Sequence, residues 1–175
     1  MSESGTLRWT ACNRRERANE AFDTGTVSIV HEGMSLNVPL LRSSFEMVLE
    51  RAPNLTLRFY EILFEKYPQV KPLFGKRRAQ EQQATMLASA LVAVVDHLED
   101  APWLTEQLGA LGAKHVEYGV TDDMYPFVGD ALLTTLAEVA GADWNDELQA
   151  QWAAAYGAIV DLALKGAHAA RAQAS

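Results

Sequence analysis

The segment Leu111-Gly112-Ala113-Lys114-His115-Val116-Glu117-Tyr118-Gly119-Val120 carries an apolar row onto a histidine and then turns a corner. Leu104, Leu108 and Leu111 precede His115 at spacings of three or four residues, the signature of one helix face. The imidazole is therefore expected to point inward, with Lys114 toward solvent. Gly109 and Gly112 weaken this helix, because glycine costs about 1 kcal/mol relative to alanine in a helix interior. No cysteine, second histidine or carboxylate stands three or four residues from His115, so zinc-ligand spacing is missing. On spacing alone, a lone inward histidine is more often a satisfied core group than a ligand. Of the other histidines, His31 lies near the N-terminus and His168 near the C-terminus. His97 sits among Asp96, Glu99 and Asp100, where a solvated side chain is expected.

Helical periodicity extends in both directions. Pro39–Arg51 places Leu40, Leu41, Phe45, Val48 and Leu49 at helical spacing, and Pro53-Asn54 interrupts it. Asn54 is the expected N-cap of a second helix, Leu55 to Tyr67. Pro68 and Pro72 lie too close for a long helix, so Pro68–Phe74 reads as a tight turn of 3-10 type. Gly75-Lys76-Arg77-Arg78 reads as a basic loop. A long helix follows from Ala79 to His97, with a stripe of Met86, Leu87, Ala90, Leu91, Val94 and Leu98. Thr121, followed by Asp122 and Asp123, is expected to open a helix to Ala140, the acids matching its N-terminal dipole. After Gly141-Ala142 a last helix spans Asn145 to Leu164, and Lys165–Ser175 either continues it or frays. Period-two alternation and internal repeats are missing, so the fold class is all-α, with helices crossing steeply or bundled.

The 175 residues, 49% hydrophobic and 22% charged, suit one globular domain. A net charge of −8 disfavours nucleic acid and anionic membrane surfaces as partners. Cys12 alone excludes an internal disulfide and fits a reducing compartment. With no run of about 18 apolar residues and no signal-peptide pattern, a cytoplasmic location is expected. Residues 1–33 are polar and aperiodic, including Asn13-Arg14-Arg15-Glu16-Arg17. They read as a flexible extension, or as residues ahead of a true start at Met34, before a domain spanning 34–175.

The order of features is more specific than any one of them. Phe59-Tyr60 sits mid-helix. Tyr67-Pro68 and Pro72-Leu73-Phe74 follow, then Gln83 and Leu87 one turn apart on a long helix. Next come Lys114-His115 through Tyr118-Gly119-Val120, then Tyr125-Pro126-Phe127-Val128-Gly129-Asp130 with Leu132-Leu133. Trp152 and Ala155-Tyr156-Gly157 close the series. From about Leu40 to Leu164 the chain resembles the globin family, in its bacterial single-domain haemoglobin and flavohaemoglobin branch. The resemblance implies a three-over-three globin fold (helices A, B, C, E, F, G and H) holding haem b. It implies that His115 is the proximal iron ligand, that Phe74 packs on the haem face, and that Tyr60 is the distal hydrogen-bond donor. It also implies that Gln83 and Leu87 are distal-helix pocket residues and that Tyr125 supports the proximal histidine. Val120 and Val128 fall in the matching blocks and join the cofactor set.

Two departures shape the functional expectation. The flavin and nicotinamide domains of flavohaemoglobins have no room after this globin, and no Gly-rich dinucleotide motif occurs. Any flavin/NAD(P)H reductase is then expected to be a separate protein. The last-helix Glu that bonds the proximal histidine and tyrosine in that branch has Ala167 near its place, and no Glu follows Glu147. A carboxylate there raises ligand basicity, so its loss argues against efficient peroxidase-like or NO-dioxygenase chemistry and leaves reversible O2 binding intact. The resemblance thus implies a globin binding O2, NO or CO, as monomer or homodimer. The alternatives are an NO dioxygenase served by a separate reductase, a haem-based gas sensor, and a haem-free interaction module.

Overall fold

The computed structural model describes residues 35–74 and 77–174; the N-terminal extension, with Cys12, the arginine cluster and His31, lies outside them. The all-α expectation holds: the described residues form six α-helices joined by short turns, with no strand among them. Helix α1 spans Val38–Arg51, α2 Leu55–Lys66, α3 Arg77–Asp96, α4 Ala101–Glu117, α5 Tyr125–Ala140 and α6 Asp146–Gln173. Pro68–Phe74 is a 3-10 turn, as the paired prolines require.

Capping explains several starts. Asn37, Asp100 and Asn145 accept hydrogen bonds from the backbone N–H groups of Leu40, Trp103 and Leu148, each satisfying a donor that the first turn leaves free. One cap and two boundaries differ from expectation. Asn54 occupies the N-cap of α2 but makes no side-chain cap; its carbonyl accepts from Leu57 instead. Arg77 and Arg78 belong to α3 rather than to a loop. Thr121 opens a 3-10 turn, Asp122–Met124, and α5 begins only at Tyr125. The C-terminal tail continues α6 as far as Gln173.

Helix α4 lies along α6, α2 crosses α5, and α3 packs on α2 and α1. The core joins Leu41, Phe45 and Val48 of α1 to Phe59 and Leu63 of α2, Leu136 of α5 and Trp152 of α6. Trp152 Nε1 donates to Ser44 Oγ at 3.1 Å, and Ser44 donates on to the Leu41 carbonyl, so this buried polar pair is satisfied. Helix α2 is fixed on α5 by Arg58, which forks onto both oxygens of Glu138, and by Tyr67, which donates to Asp130 while its ring stacks on Phe127. The glycines of α4 serve the α4–α6 crossing. A Cβ on Gly112 would stand 1.8 Å from the Ala163 carbonyl oxygen, and one on Gly166 would stand 2.0 Å from that of Gly109. No helix among the described residues is long and apolar enough to cross a membrane.

Candidate functional site

Helix α4 brings His115 to a half-buried position near its C-terminal end. Burial lowers the imidazole pKa, so the ring is neutral at neutral pH. Tyr125, at the start of α5, meets it edge-on with ring centroids 5.8 Å apart, and Tyr125 Oη lies 3.5 Å from His115 Nδ1. A neutral imidazole approached at one nitrogen has the other free to bind a metal. Tyr125 is itself held from α6, because Tyr156 Oη donates to the Tyr125 carbonyl at 2.7 Å. The Tyr156 ring lies so close to Gly129 that a Cβ there would come within 2.4 Å of it.

The α4–α5 corner is tied to the same group. Gly119 takes φ +80, which suits glycine. The Val120 N–H donates to the His115 carbonyl at 3.0 Å. Asp122, expected to serve a helix dipole, instead turns its carboxylate toward α6. Oδ2 lies 2.7 Å from His168 Nε2, and Oδ1 accepts from Arg171 at 2.7 Å. These two partners hold the Asp122 carboxyl below the usual range. The sequence placed His168 only near the C-terminus and did not single out Arg171, because both lie beyond the expected end of the last helix.

A second group gathers on α2 and the 3-10 turn. Tyr60, Phe64 and Phe74 form an aromatic triad with centroids 5.2–5.7 Å apart, a range favourable for edge-on and offset contacts. Burial pushes the Tyr60 hydroxyl up to about 12, so it remains a protonated donor. Leu87 and Val128 are half-buried and pack against the core. Gln83 Oε1 is buried with no hydrogen-bond partner. An orphaned buried amide oxygen is uncommon, since leaving such a group unpaired costs about 1–3 kcal/mol.

The structure thus assembles the expected residues into two sets, Tyr60 with Phe74 and His115 with Tyr125 and Val120, while Gln83 and Leu87 sit one turn apart on α3. Other sequence readings require correction. Met86 is 64% exposed rather than part of the buried stripe, and Leu111 is 42% exposed although it lies one turn before His115. His97 is not freely solvated: its ring stacks on Trp103 at 4.0 Å and Nδ1 meets the Ala93 carbonyl.

The globin family profile matches residues 57–162. The flavohemoprotein of Bordetella pertussis is 35% identical over 124 residues, covering 70% of this chain and 31% of its own length. That of Bacillus cereus is 33% identical over 127 residues, covering 71% and 31%. The chain therefore spans about a third of these curated relatives. Among solved structures, a bacterial globin from Campylobacter jejuni superimposes with a TM-score of 0.64 at 24% identity, covering 75% of this chain and 94% of that one. An engineered carbene transferase from Rhodothermus marinus gives a TM-score of 0.68 at 27% identity, covering 79% and 96%. With a helical fold shared with these structures and a profile that spans most of α2 through α6, the chain belongs to the globin family.

Proposed function

We propose that this globin holds haem b through His115 and reversibly binds a diatomic gas, O2 first. The observation that carries the reading is the half-buried neutral imidazole of His115 with Tyr125 Oη at Nδ1, which leaves Nε2 for iron. The remaining expected residues fit the same group. Phe74, Leu87, Val120 and Val128 supply apolar contact, and the Gln83 amide oxygen is buried without a hydrogen-bond partner. When bound, haem would supply an iron able to take up a gas. His115 would hold that iron, and Tyr125 orients the His115 ring. Tyr60 keeps its proton at neutral pH and, with the Gln83 amide, would offer hydrogen bonds to a bound gas.

NO detoxification is the second reading. It is supported by the flavohemoprotein relatives and by the nitric oxide dioxygenase name borne by the Rhodothermus marinus structure. It calls for a flavin/NAD(P)H reductase as a separate partner. Ala167, fully buried on α6, carries no carboxylate, which favours O2 binding over fast turnover.

One spectroscopic series tests both readings. The purified chain is expected to show a Soret band that shifts with CO after reduction. His115→Ala is expected to lose it, and a full, unchanged spectrum in that variant overturns the ligand assignment. With a reductase present, NO consumption beyond one equivalent per haem supports the enzyme; strictly stoichiometric loss removes it.

A further inference from the structure

We propose that Asp122 and Arg171 are positioning residues for His115: the C-terminal turns of α6 grip the α4–α5 corner and thereby set the contact between the imidazole and Tyr125. The inference rests on the haem reading only for what His115 holds; the grip itself is a matter of protein contacts.

The contacts form a closed path. Arg171 uses its planar fork on two acceptors, Nη1 on Asp122 Oδ1 at 2.7 Å and Nη2 on the Val120 carbonyl at 3.3 Å. His168 holds the other Asp122 oxygen at 2.7 Å. From there the path divides. The Val120 N–H donates to the His115 carbonyl at 3.0 Å, and the Tyr125 N–H donates to the Asp122 carbonyl. Asp122 thus bonds Tyr125 directly through its carbonyl and reaches His115 by way of Arg171 and Val120. Upstream, the Gly112–Ala163 approach fixes α6 against α4, so the turns bearing His168 and Arg171 are presented from a rigid base.

Two magnitudes separate positioning from simple stabilisation. The Tyr125–His115 separation of 3.5 Å lies at the outer limit of a hydrogen bond, where strength falls steeply with distance. A few tenths of an ångström at the corner therefore decide whether that bond is made. By contrast, the Asp122 and Arg171 side chains are 44% and 37% exposed, and exposed ion pairs contribute little to global stability. Breaking the grip is expected to change the imidazole's surroundings far more than the unfolding midpoint. Ala167 leaves α6 without a carboxylate of its own at this level, so the corner supplies the acid and α6 the bases.

The test uses the full chain loaded with haem, with Arg171→Leu, Asp122→Asn, the double variant and Arg171→Lys. The iron–histidine stretching frequency is read by resonance Raman on the reduced protein, alongside haem transfer to an excess of a haem-scavenging protein. The single variants are expected to lower the frequency and speed transfer by about tenfold, the lower end of outer-shell effects on metal sites. The double variant should do no more than either single change, because both cut one network. Arg171→Lys should recover part of the loss, and urea midpoints should stay close to the parent's. Parental frequency and transfer rate in both single variants overturn the proposal. If the parent takes up no haem, the haem reading fails separately, and the ring-nitrogen NMR signals of His115 in the haem-free chain decide the grip. A shift in Arg171→Leu supports it, and superimposable signals overturn it.

Discussion

A phenol packed among aromatic rings keeps its proton, and at the scale of single residues that makes Tyr60 a donor and not an anion. Its hydroxyl is pushed up to about 12 by burial, and Phe64 and Phe74 hold its ring on two sides. A hydrogen bond to a ligand carrying partial charge is worth about 1.5–3 kcal/mol, which corresponds to about a tenfold to hundredfold change in dissociation. Tyr60→Phe keeps the ring contacts and removes only the hydroxyl. It is expected to accelerate O2 dissociation by that factor in stopped-flow mixing. An unchanged rate transfers the donor role to the amide N–H of Gln83, whose Oε1 is buried without a hydrogen-bond partner. The sequence could suggest Tyr60 and Gln83 only through the resemblance, since an aromatic at helical spacing reads equally as core. The unpaired oxygen is a property of geometry and has no signature in composition or spacing. His97 shows the reverse: surrounding acids suggested a solvated ring, while Trp103, six residues on, offers a flat apolar surface that the imidazole covers instead.

At the scale of elements, the period of apolar residues located every long helix, because burying one face is what stabilises a helix in a protein. Ends were less legible, since they depend on which of several candidate caps wins. Asn37 and Asn145 cap as their chemistry suggests, whereas Asn54 leaves its side chain out and Thr121 donates to Asp123 rather than capping. The glycines of α4 read as weak points and are contact points. Gly112→Ala would drive a methyl into the Ala163 backbone, which cannot yield as a flexible side chain would. Overpacking of this kind costs about 1–3 kcal/mol, more than the helix propensity it restores. Nothing lies within 4 Å of a Cβ on Gly109, so Gly109→Ala should gain up to about 1 kcal/mol from propensity. Urea titrations of the two variants are expected to move in opposite directions. A destabilised Gly109→Ala beside a neutral Gly112→Ala would show that the helices cross elsewhere.

For the whole molecule, fold class and family were readable because the informative blocks are spread from α2 to α6 and each matches a constraint on a different helix. What joins those helices was not readable. The grip of Arg171 and His168 on Asp122 spans more than 40 residues and depends on α6 running on to Gln173, where the alanine-rich sequence left helix and fraying equally open. The ambiguity that spacing left at His115, core group or ligand, is decided by a measurement on the entire chain. A ligand that binds only the folded state stabilises it by mass action, by about 2.7 kcal/mol at a free concentration one hundred times Kd. For a domain of this size that raises Tm by about 5–10 °C. The parent chain should show this gain on adding haem. If the imidazole holds iron, His115→Ala should lose most of the gain while its haem-free Tm stays near the parent's. If the ring serves only packing, the substitution lowers both melting temperatures together and leaves their difference intact.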